Sequence, residues 1–269
     1  MCAREVTPMT DDLSYLTTNT LVVMPTYREA ANIVKALVAV RTALERATVL
    51  VVDDEGNDGT ADLAEEVGLR LGRVEVLRRP GKGGLASAYK AGFTWGLDRG
   101  YQVLVGMDAD LSHDASALPR LLGALADGAD VSIGSRYVSG GSVDNWPLLR
   151  RGLSLLGNWY AGRALRSDLT DLTSAFRAYR ADALRAVNFD LLRGQGYCFL
   201  IELANSLERS GATIAEVPIQ FVNRHEGQSK MSARIALESL WVVTKLAFAR
   251  APEVLAPAPQ PVMHGDRSG

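Results

Sequence analysis

Asp108-Ala109-Asp110 is the tripeptide of this chain with the most chemistry to offer. Two carboxylates one residue apart can share a hard divalent cation if a turn follows, because alternate residues of an extended segment point to opposite faces. Such a cation keeps positions open for diphosphate oxygens and stabilises the charge that grows on a leaving diphosphate. The same tripeptide also suits a helix cap followed by a solvated loop acid. A second acidic run, Asp53-Asp54-Glu55-Gly56-Asn57-Asp58-Gly59-Thr60, can accept hydrogen bonds from a nucleobase or ribose. Turn chemistry explains that run equally well, and Asp58-Gly59-Thr60 suits a helix start. His113 has the residue type of a base, but beside an aspartate pair it reads as an orienting or capping neighbour, outside the catalytic set.

Two basic segments complement the acids. Arg78-Arg79-Pro80-Gly81-Lys82-Gly83-Gly84 combines cations with glycines that allow close backbone approach to phosphate, though a solvated turn has the same composition. It lacks the spacing of a Walker loop. Arg224-His225-Glu226-Gly227-Gln228-Ser229-Lys230 suits a lid over phosphates, or a charged surface loop.

The elements that must position these groups alternate between strand and helix. Apolar runs predict strands at 21–24, stopped by Pro25, and at 48–52, 74–77, 102–107 and 131–134. Helical spacing covers 29–46, 60–71, 85–99 and 118–127, and 214–222 alternates as a further strand containing Pro218. Alternation of this kind predicts an α/β fold with a largely parallel central sheet. Ligands of such sheets bind beyond the carboxyl ends of the strands, which is where the acidic clusters fall. Residues 1–18 read as a flexible N-terminus, 19–231 as the catalytic domain, 232–250 as an amphipathic helix and 251–269 as a disordered, proline-rich tail. The helix at 232–250 suits either an interfacial position or packing on the core.

Composition narrows the classes. With 269 residues the chain can bury a full core, and 47% apolar with 22% charged residues is ordinary for a globular protein. A net charge of −2 argues against nucleic acid as a partner. Cys2 and Cys198 form no disulfide framework or zinc spacing, so a cytoplasmic setting is expected. The N-terminus does not read as a signal peptide, and no apolar run reaches about 18 residues.

Read together, MPTYREAANI, VVDDEGNDGTAD, MDADLSHD, GSRYVSGG, NWPLLRRGLS, FRAYR and RHEGQSKM resemble the family 2 inverting glycosyltransferases. Within these they resemble the polyprenyl- and dolichyl-phosphate mannosyltransferases, over roughly residues 20–245. The resemblance implies a GT-A, Rossmann-like fold, a nucleotide-sugar donor (usually GDP-mannose), Mg²⁺ or Mn²⁺, and a polyprenyl phosphate acceptor. It leaves room for a membrane surface or a membrane partner subunit, and for a peripheral place on the cytoplasmic face. By position it implies that Pro25, Tyr27, Glu29, Val52 and Asp54 line the nucleotide pocket. Asp108, Ala109 and Asp110 correspond to the diphosphate and metal segment, with Asp110 the leading ligand and Ser112 completing the set. Arg136 and Arg151 correspond to basic residues near the phosphates, and Arg224 and Lys230 to the loop that closes on the donor.

A phosphate monoester is largely ionised near neutral pH, so such an acceptor needs neutralisation by cations such as Arg136 and Arg151 more than it needs a base. A hydroxyl acceptor would need one, and Asp114 or Asp171 are the carboxylates to consider. The chain departs from the family at Glu55-Gly56-Asn57, Ala175 and Leu200, which bears on donor and acceptor identity. UDP-glucose as donor, a soluble hydroxyl acceptor, and a noncatalytic nucleotide-sugar binder remain as alternatives.

Overall fold

The computed structural model describes residues 16–222, together with 243–245 and 247. Nine strands form along the described chain: β1 (Thr20–Thr26), β2 (Thr48–Asp54), β3 (Val74–Arg79), β4 (Val103–Gly106), β5 (Val131–Ser135), β6 (Ser142–Val143), β7 (Arg177–Arg180), β8 (Ile214–Pro218) and β9 (Gln220–Phe221). The helices are α1 (Ile33–Ala43), α2 (Thr60–Leu71), α3 (Leu85–Asp98), α4 (Leu118–Ala126), α5 (Leu148–Leu165), α6 (Ala181–Arg185) and α7 (Tyr197–Arg209). Seven strands make one sheet in the order β3-β2-β1-β4-β7-β5-β8, and β6 pairs with β9 in a separate ribbon. Within the large sheet only β7 runs antiparallel to its neighbours.

The sheet is buried on both faces, which is why its strands read as continuous apolar runs. One core layer joins Val22, Met24, Val49 and Val51 to Ile33, Leu37 and Leu121. The other joins Leu21, Val23, Leu50 and Val52 to Tyr89, Phe93 and Leu203. Helix α3 lies close on the sheet because Gly92 has no side chain; a Cβ there would sit 2.3 Å from Val23 Cγ1.

The observed strands are longer than the apolar runs at their functional ends. β1 does not stop at Pro25 but continues through Pro25↔Val52 to Thr26↔Asp53. Its pairing with β4 ends at Val23↔Gly106, so the missing N–H of proline interrupts no ladder on that side. β2 carries Asp53 and Asp54 inside the strand, and β3 carries Arg78 and Arg79. The first helix is shorter than 29–46: a turn with Ile33 N donating to Glu29 O precedes α1. The stretch 214–222 divides into β8 and β9, which belong to different sheets.

The end of the N-terminal segment is ordered rather than frayed. Residues 16–18 are helical, Leu16 is buried, and Thr20 Oγ1 donates to Leu16 O at 2.7 Å. Residues 1–15, the disordered-tail segment 251–269 and most of the helix expected at 232–250 lie outside the described residues. The described part of that helix packs on the core: Val243 is buried with Ala161, Leu172 and Ile201, and Thr244 Oγ1 meets Tyr160 Oη at 2.7 Å.

Candidate active site

The carboxyl ends of β1, β2, β4 and β5 share one edge of the sheet, and the acidic clusters meet there. Strand alternation sends Asp53 and Asp54 to different partners. Asp53 Oδ1 accepts from Thr26 Oγ1 at 2.6 Å. Burial raises the Asp53 carboxyl above its ordinary value, against the pull of that hydrogen bond. Asp54 Oδ2 accepts from the amides of Gly83 and Gly84, both at 2.8 Å, and Oδ1 lies 2.9 Å from Arg79 Nη1. Asp54 therefore ties the glycine loop before α3 to the end of β2.

That arrangement corrects the reading of the first basic segment as an open phosphate site. Arg79 faces Asp54, and Arg78 pairs with Asp62 and Glu65 on α2. Lys82 instead lies over the Tyr27 ring at 4.4 Å, with Arg28 at 5.5 Å from the same ring. Tyr27 is half-buried, directly after β1 and Pro25. Glu29 Oε2 accepts from Asn32 Nδ2 at 2.9 Å, and its amide donates to Thr60 Oγ1. Asp58 collects the Thr60 hydroxyl, the Thr60 amide and the Ala30 amide. Burial pushes Asp58 up, but those hydrogen bonds outweigh it and hold the carboxyl below its ordinary value. Val52, fully buried in β2, completes this side.

Beyond β4, Leu111 adopts a left-handed φ of 62°. This is the turn that the Asp-x-Asp segment needs, and Asp110 Oδ1 closes it by accepting from Ser112 N at 3.0 Å. Ala109 and Asp110 are buried, as is Ser112, whose Oγ has no hydrogen-bond partner among the described residues. A buried hydroxyl without a partner costs free energy unless something completes it. Asp108 Oδ1 accepts from Tyr89 Oη at 3.2 Å, and Oδ2 lies 3.5 Å from His113 Nε2. Burial raises the Tyr89 phenol well above its ordinary value, and the neighbouring Asp108 charge adds to that. His113 is thus a neighbour of Asp108, and the cap of the following 3₁₀ turn is Asp114, which accepts from Ser116 N at 2.9 Å.

Among the described residues no cluster of three acidic, histidine or cysteine ligands forms. Asp108, Asp110 and the unpartnered Ser112 Oγ are instead a small set of hard oxygen donors. Such a set fits a divalent cation that takes its remaining ligands from a diphosphate.

Arg136, after β5, is buried and commits its guanidinium to Asp171. Nε and Nη2 each donate at 2.7 Å, the Arg136 amide donates to the same carboxylate, and Nη2 also reaches Thr173 Oγ1 at 2.7 Å. Burial would raise Asp171, yet the facing Arg136 holds it below the ordinary range. Arg136 is therefore a paired cation, held by Asp171 and Thr173. Its ring neighbours are Tyr137, Trp146 and Phe221. Arg151 is exposed in the first turn of α5, with its amide bonded to Pro147 O. Arg224 and Lys230 lie outside the described residues.

Sequence patterns missed Tyr89, the pairing of Arg79 with Asp54, and the Trp146–Phe221–His113 ring cluster. Tyr89 falls in the apolar stripe of α3 with Ala86 and Phe93, so spacing alone marks it as core. The clustered rings meet edge to face, Trp146 to Phe221 at 5.5 Å and Phe221 to His113 at 5.3 Å. They anchor the approach to α5 beside Asp108.

Residues 21–187 match the family model described as "Glycosyl transferase family 2". The undecaprenyl-phosphate mannosyltransferase of Micrococcus luteus is 46% identical over 85% of this chain and 94% of its own length. The polyprenol monophosphomannose synthase of Mycolicibacterium smegmatis is 45% identical, over 85% and 87%. A crystal structure of glucosyl-3-phosphoglycerate synthase from Mycobacterium tuberculosis, in complex with Mn²⁺ and uridine-diphosphate-glucose, superposes with a TM-score of 0.62. At 19% identity it covers 91% of this chain and 84% of that one, which shows the shared GT-A fold. The fold, the acidic edge and these relatives agree: the chain belongs to glycosyl transferase family 2.

Proposed function

We propose that the chain transfers mannose from GDP-mannose to the phosphate of a polyprenyl phosphate, with inversion at the anomeric carbon. The observation that carries the choice of acceptor is the state of the two carboxylates a hydroxyl acceptor would need. Asp114 is engaged as a cap by Ser116, and Asp171 is sealed against Arg136 with no solvent exposure. A phosphate monoester dispenses with such a base, since its second pKa is about 6. The names of the two relatives point the same way.

In this reading a phosphate oxygen of the acceptor attacks the anomeric carbon. The bond from that carbon to the donor's diphosphate breaks, and the electron pair leaves with the nucleoside diphosphate. Asp110, Ser112 and Asp108 would hold Mg²⁺ or Mn²⁺. Held there, such an ion would supply charge neutralisation to the leaving diphosphate. Tyr89 and His113 orient Asp108. Pro25, Tyr27, Glu29, Val52, Asp54 and Ala109 shape the nucleotide pocket, with Asp54 holding its glycine loop. Arg151 meets the acceptor phosphate, Arg136 braces that side of the pocket, and Arg224 with Lys230 closes over the donor. The reaction then takes place at the cytoplasmic face of a membrane, with the chain peripheral to it.

The test is a transfer assay with purified chain, radiolabelled GDP-mannose or UDP-glucose, a short-chain polyprenyl phosphate, and Mg²⁺ or Mn²⁺. Metal-dependent label in the lipid product from GDP-mannose is the expected result. Label from UDP-glucose alone would replace mannose as the sugar. Metal-dependent donor binding without lipid product from either donor rejects the lipid acceptor.

A further inference from the structure

Glu202 does for the loop before α7 what Asp54 does for the loop before α3. It is buried in α7, as are Phe199, Ile201 and Leu203, and its Oε2 accepts from Gly194 N at 2.7 Å. Burial raises the Glu202 carboxyl above its ordinary value, against the pull of the Gly194 and Arg193 amides and the Lys90 charge. Lys90, next to Tyr89 on α3, donates from Nζ to Leu192 O. Gly194 leaves no room for a side chain, since a Cβ there would sit 2.7 Å from Cys198 C, and Gly196 has a φ of 52°. Cys198 N closes the turn by donating to Gln195 O at 3.0 Å. Burying a carboxylate costs free energy that an apolar side chain would not, and what Glu202 gives instead is a fixed loop.

Gln195 is exposed on that loop and borders Gly84: a Cβ on Gly84 would sit 3.8 Å from Gln195 Oε1. Gly84 is one of the two glycines that Asp54 holds on the side proposed for the nucleotide. Two residues beyond Gln195, Tyr197 lies within electrostatic reach of Arg136, on the side proposed for the acceptor. Residues 195–197 therefore run from the donor side to the acceptor side. A glycosyl group in transfer lies between its leaving group and its acceptor, so this segment borders it. A carboxamide carries an acceptor oxygen and two N–H donors, which suits ring hydroxyls that both donate and accept.

We propose that Gln195 reads the hydroxyls of the transferred hexose and that Glu202 is the residue that positions it. The inference rests on the sugar-transfer reading above and adds to it the residue that selects the sugar. Gln195 touches the donor's ring, whereas Glu202 acts only through the backbone of Gly194.

The experiment compares the binding of GDP with that of GDP-mannose to the full chain in the presence of Mn²⁺, by titration calorimetry, so that no acceptor is needed. Gln195→Ala is expected to leave the Kd of GDP unchanged and to weaken GDP-mannose by roughly three- to tenfold. Its preference for GDP-mannose over GDP-glucose should fall by a similar factor. Gln195 is exposed, so the variant should keep its circular dichroism spectrum. Glu202→Leu should lose the same sugar increment, whereas Glu202→Gln, which retains a carbonyl oxygen for Gly194 N, should keep most of it. Equal weakening of GDP and GDP-mannose by Gln195→Ala overturns the proposal, because the residue then holds the nucleotide, and so does unchanged binding of both. A Glu202→Leu chain that is less stable yet keeps the full sugar increment overturns the positioning role. If the wild type binds UDP-glucose in place of GDP-mannose, the function proposed above fails on its donor, and the same comparison of UDP with UDP-glucose decides the role of Gln195. Donor binding without transfer to polyprenyl phosphate rejects the acceptor and leaves this inference standing.

Discussion

Asp171 and Arg136 form a bidentate pair with both contacts at 2.7 Å, at a point where Asp171 is fully shielded from solvent. Removing one member leaves a buried charge uncompensated. Asp171→Asn is expected to destabilise the fold by about 3–5 kcal/mol in denaturant titration. The pair also sets a pH dependence. Arg136 holds the folded Asp171 pKa below its ordinary value of 3.8, so its stabilisation is complete above that value and is lost as pH falls through the folded pKa. The stability gap between wild type and Asp171→Asn should therefore be constant from neutral pH to about 5 and narrow below 4. A gap that instead widens on acidification would mean that Asp171 is not ionised in the fold.

Asp110 and Ser112 should separate by degree. Asp110→Asn is expected to lower transfer by about 100-fold or more while leaving the unfolding midpoint nearly unchanged. Ser112→Ala should raise the metal concentration for half-maximal rate by roughly tenfold and leave the maximal rate closer to wild type. Titrating Mn²⁺ against initial rate in the three proteins measures both. Equal metal requirements in wild type and Ser112→Ala would remove Ser112 from the ligand set.

Tyr89 donates to Asp108 from inside the α3 stripe, so its hydroxyl and its ring do different things. Tyr89→Phe keeps the ring that stacks on Phe93 at 5.5 Å and deletes the hydrogen bond. Stability should change by about 1 kcal/mol or less. The rate at saturating metal should fall several-fold, with a larger loss at limiting metal. A change in stability with no change in metal response would reduce Tyr89 to a core residue.

Asp54 holds two backbone amides and faces Arg79. Asp54→Ala strands these donors, at a cost of about 1–3 kcal/mol. Releasing the glycine loop should raise KM for the donor more than it lowers kcat, because the loop shapes binding rather than bond breaking. Initial rates over a donor series, paired with thermal unfolding, distinguish this from general loosening of the fold.

Filling the gap under α3 probes the packing alone. Gly92→Ala pushes a methyl against Val23 Cγ1 and should destabilise by about 1–3 kcal/mol, with kcat preserved in the fraction that remains folded. A loss of kcat at full folding would couple α3 placement to the site through Tyr89.

Apolar runs and helical spacing were enough, in the sequence itself, to order the strands and helices from β1 to β5, and so to place Asp53, Asp54, Asp108 and Asp110 on one edge. The parallel sheet is buried on both faces, and that burial writes itself into local hydrophobicity. The helix start at Asp58-Gly59-Thr60 was legible for a similar reason, because caps and turns are local. The partners of charged residues were not legible. Arg136 reads as a phosphate contact and is bound to Asp171, 35 residues away. Arg79 reads as a loop cation and faces Asp54 across β2 and β3. Pro25 reads as a strand end, and only the shortness of the β4 ladder lets the strand continue through it. Helix α5 was not predicted from the spacing of its residues, and it turns its leucines outward while Asn158 and Ser154 hydrogen-bond on the inner side. Element identity depends on neighbours within a few residues, whereas the pairing of a charge and the facing of a helix depend on contacts that only the assembled chain creates.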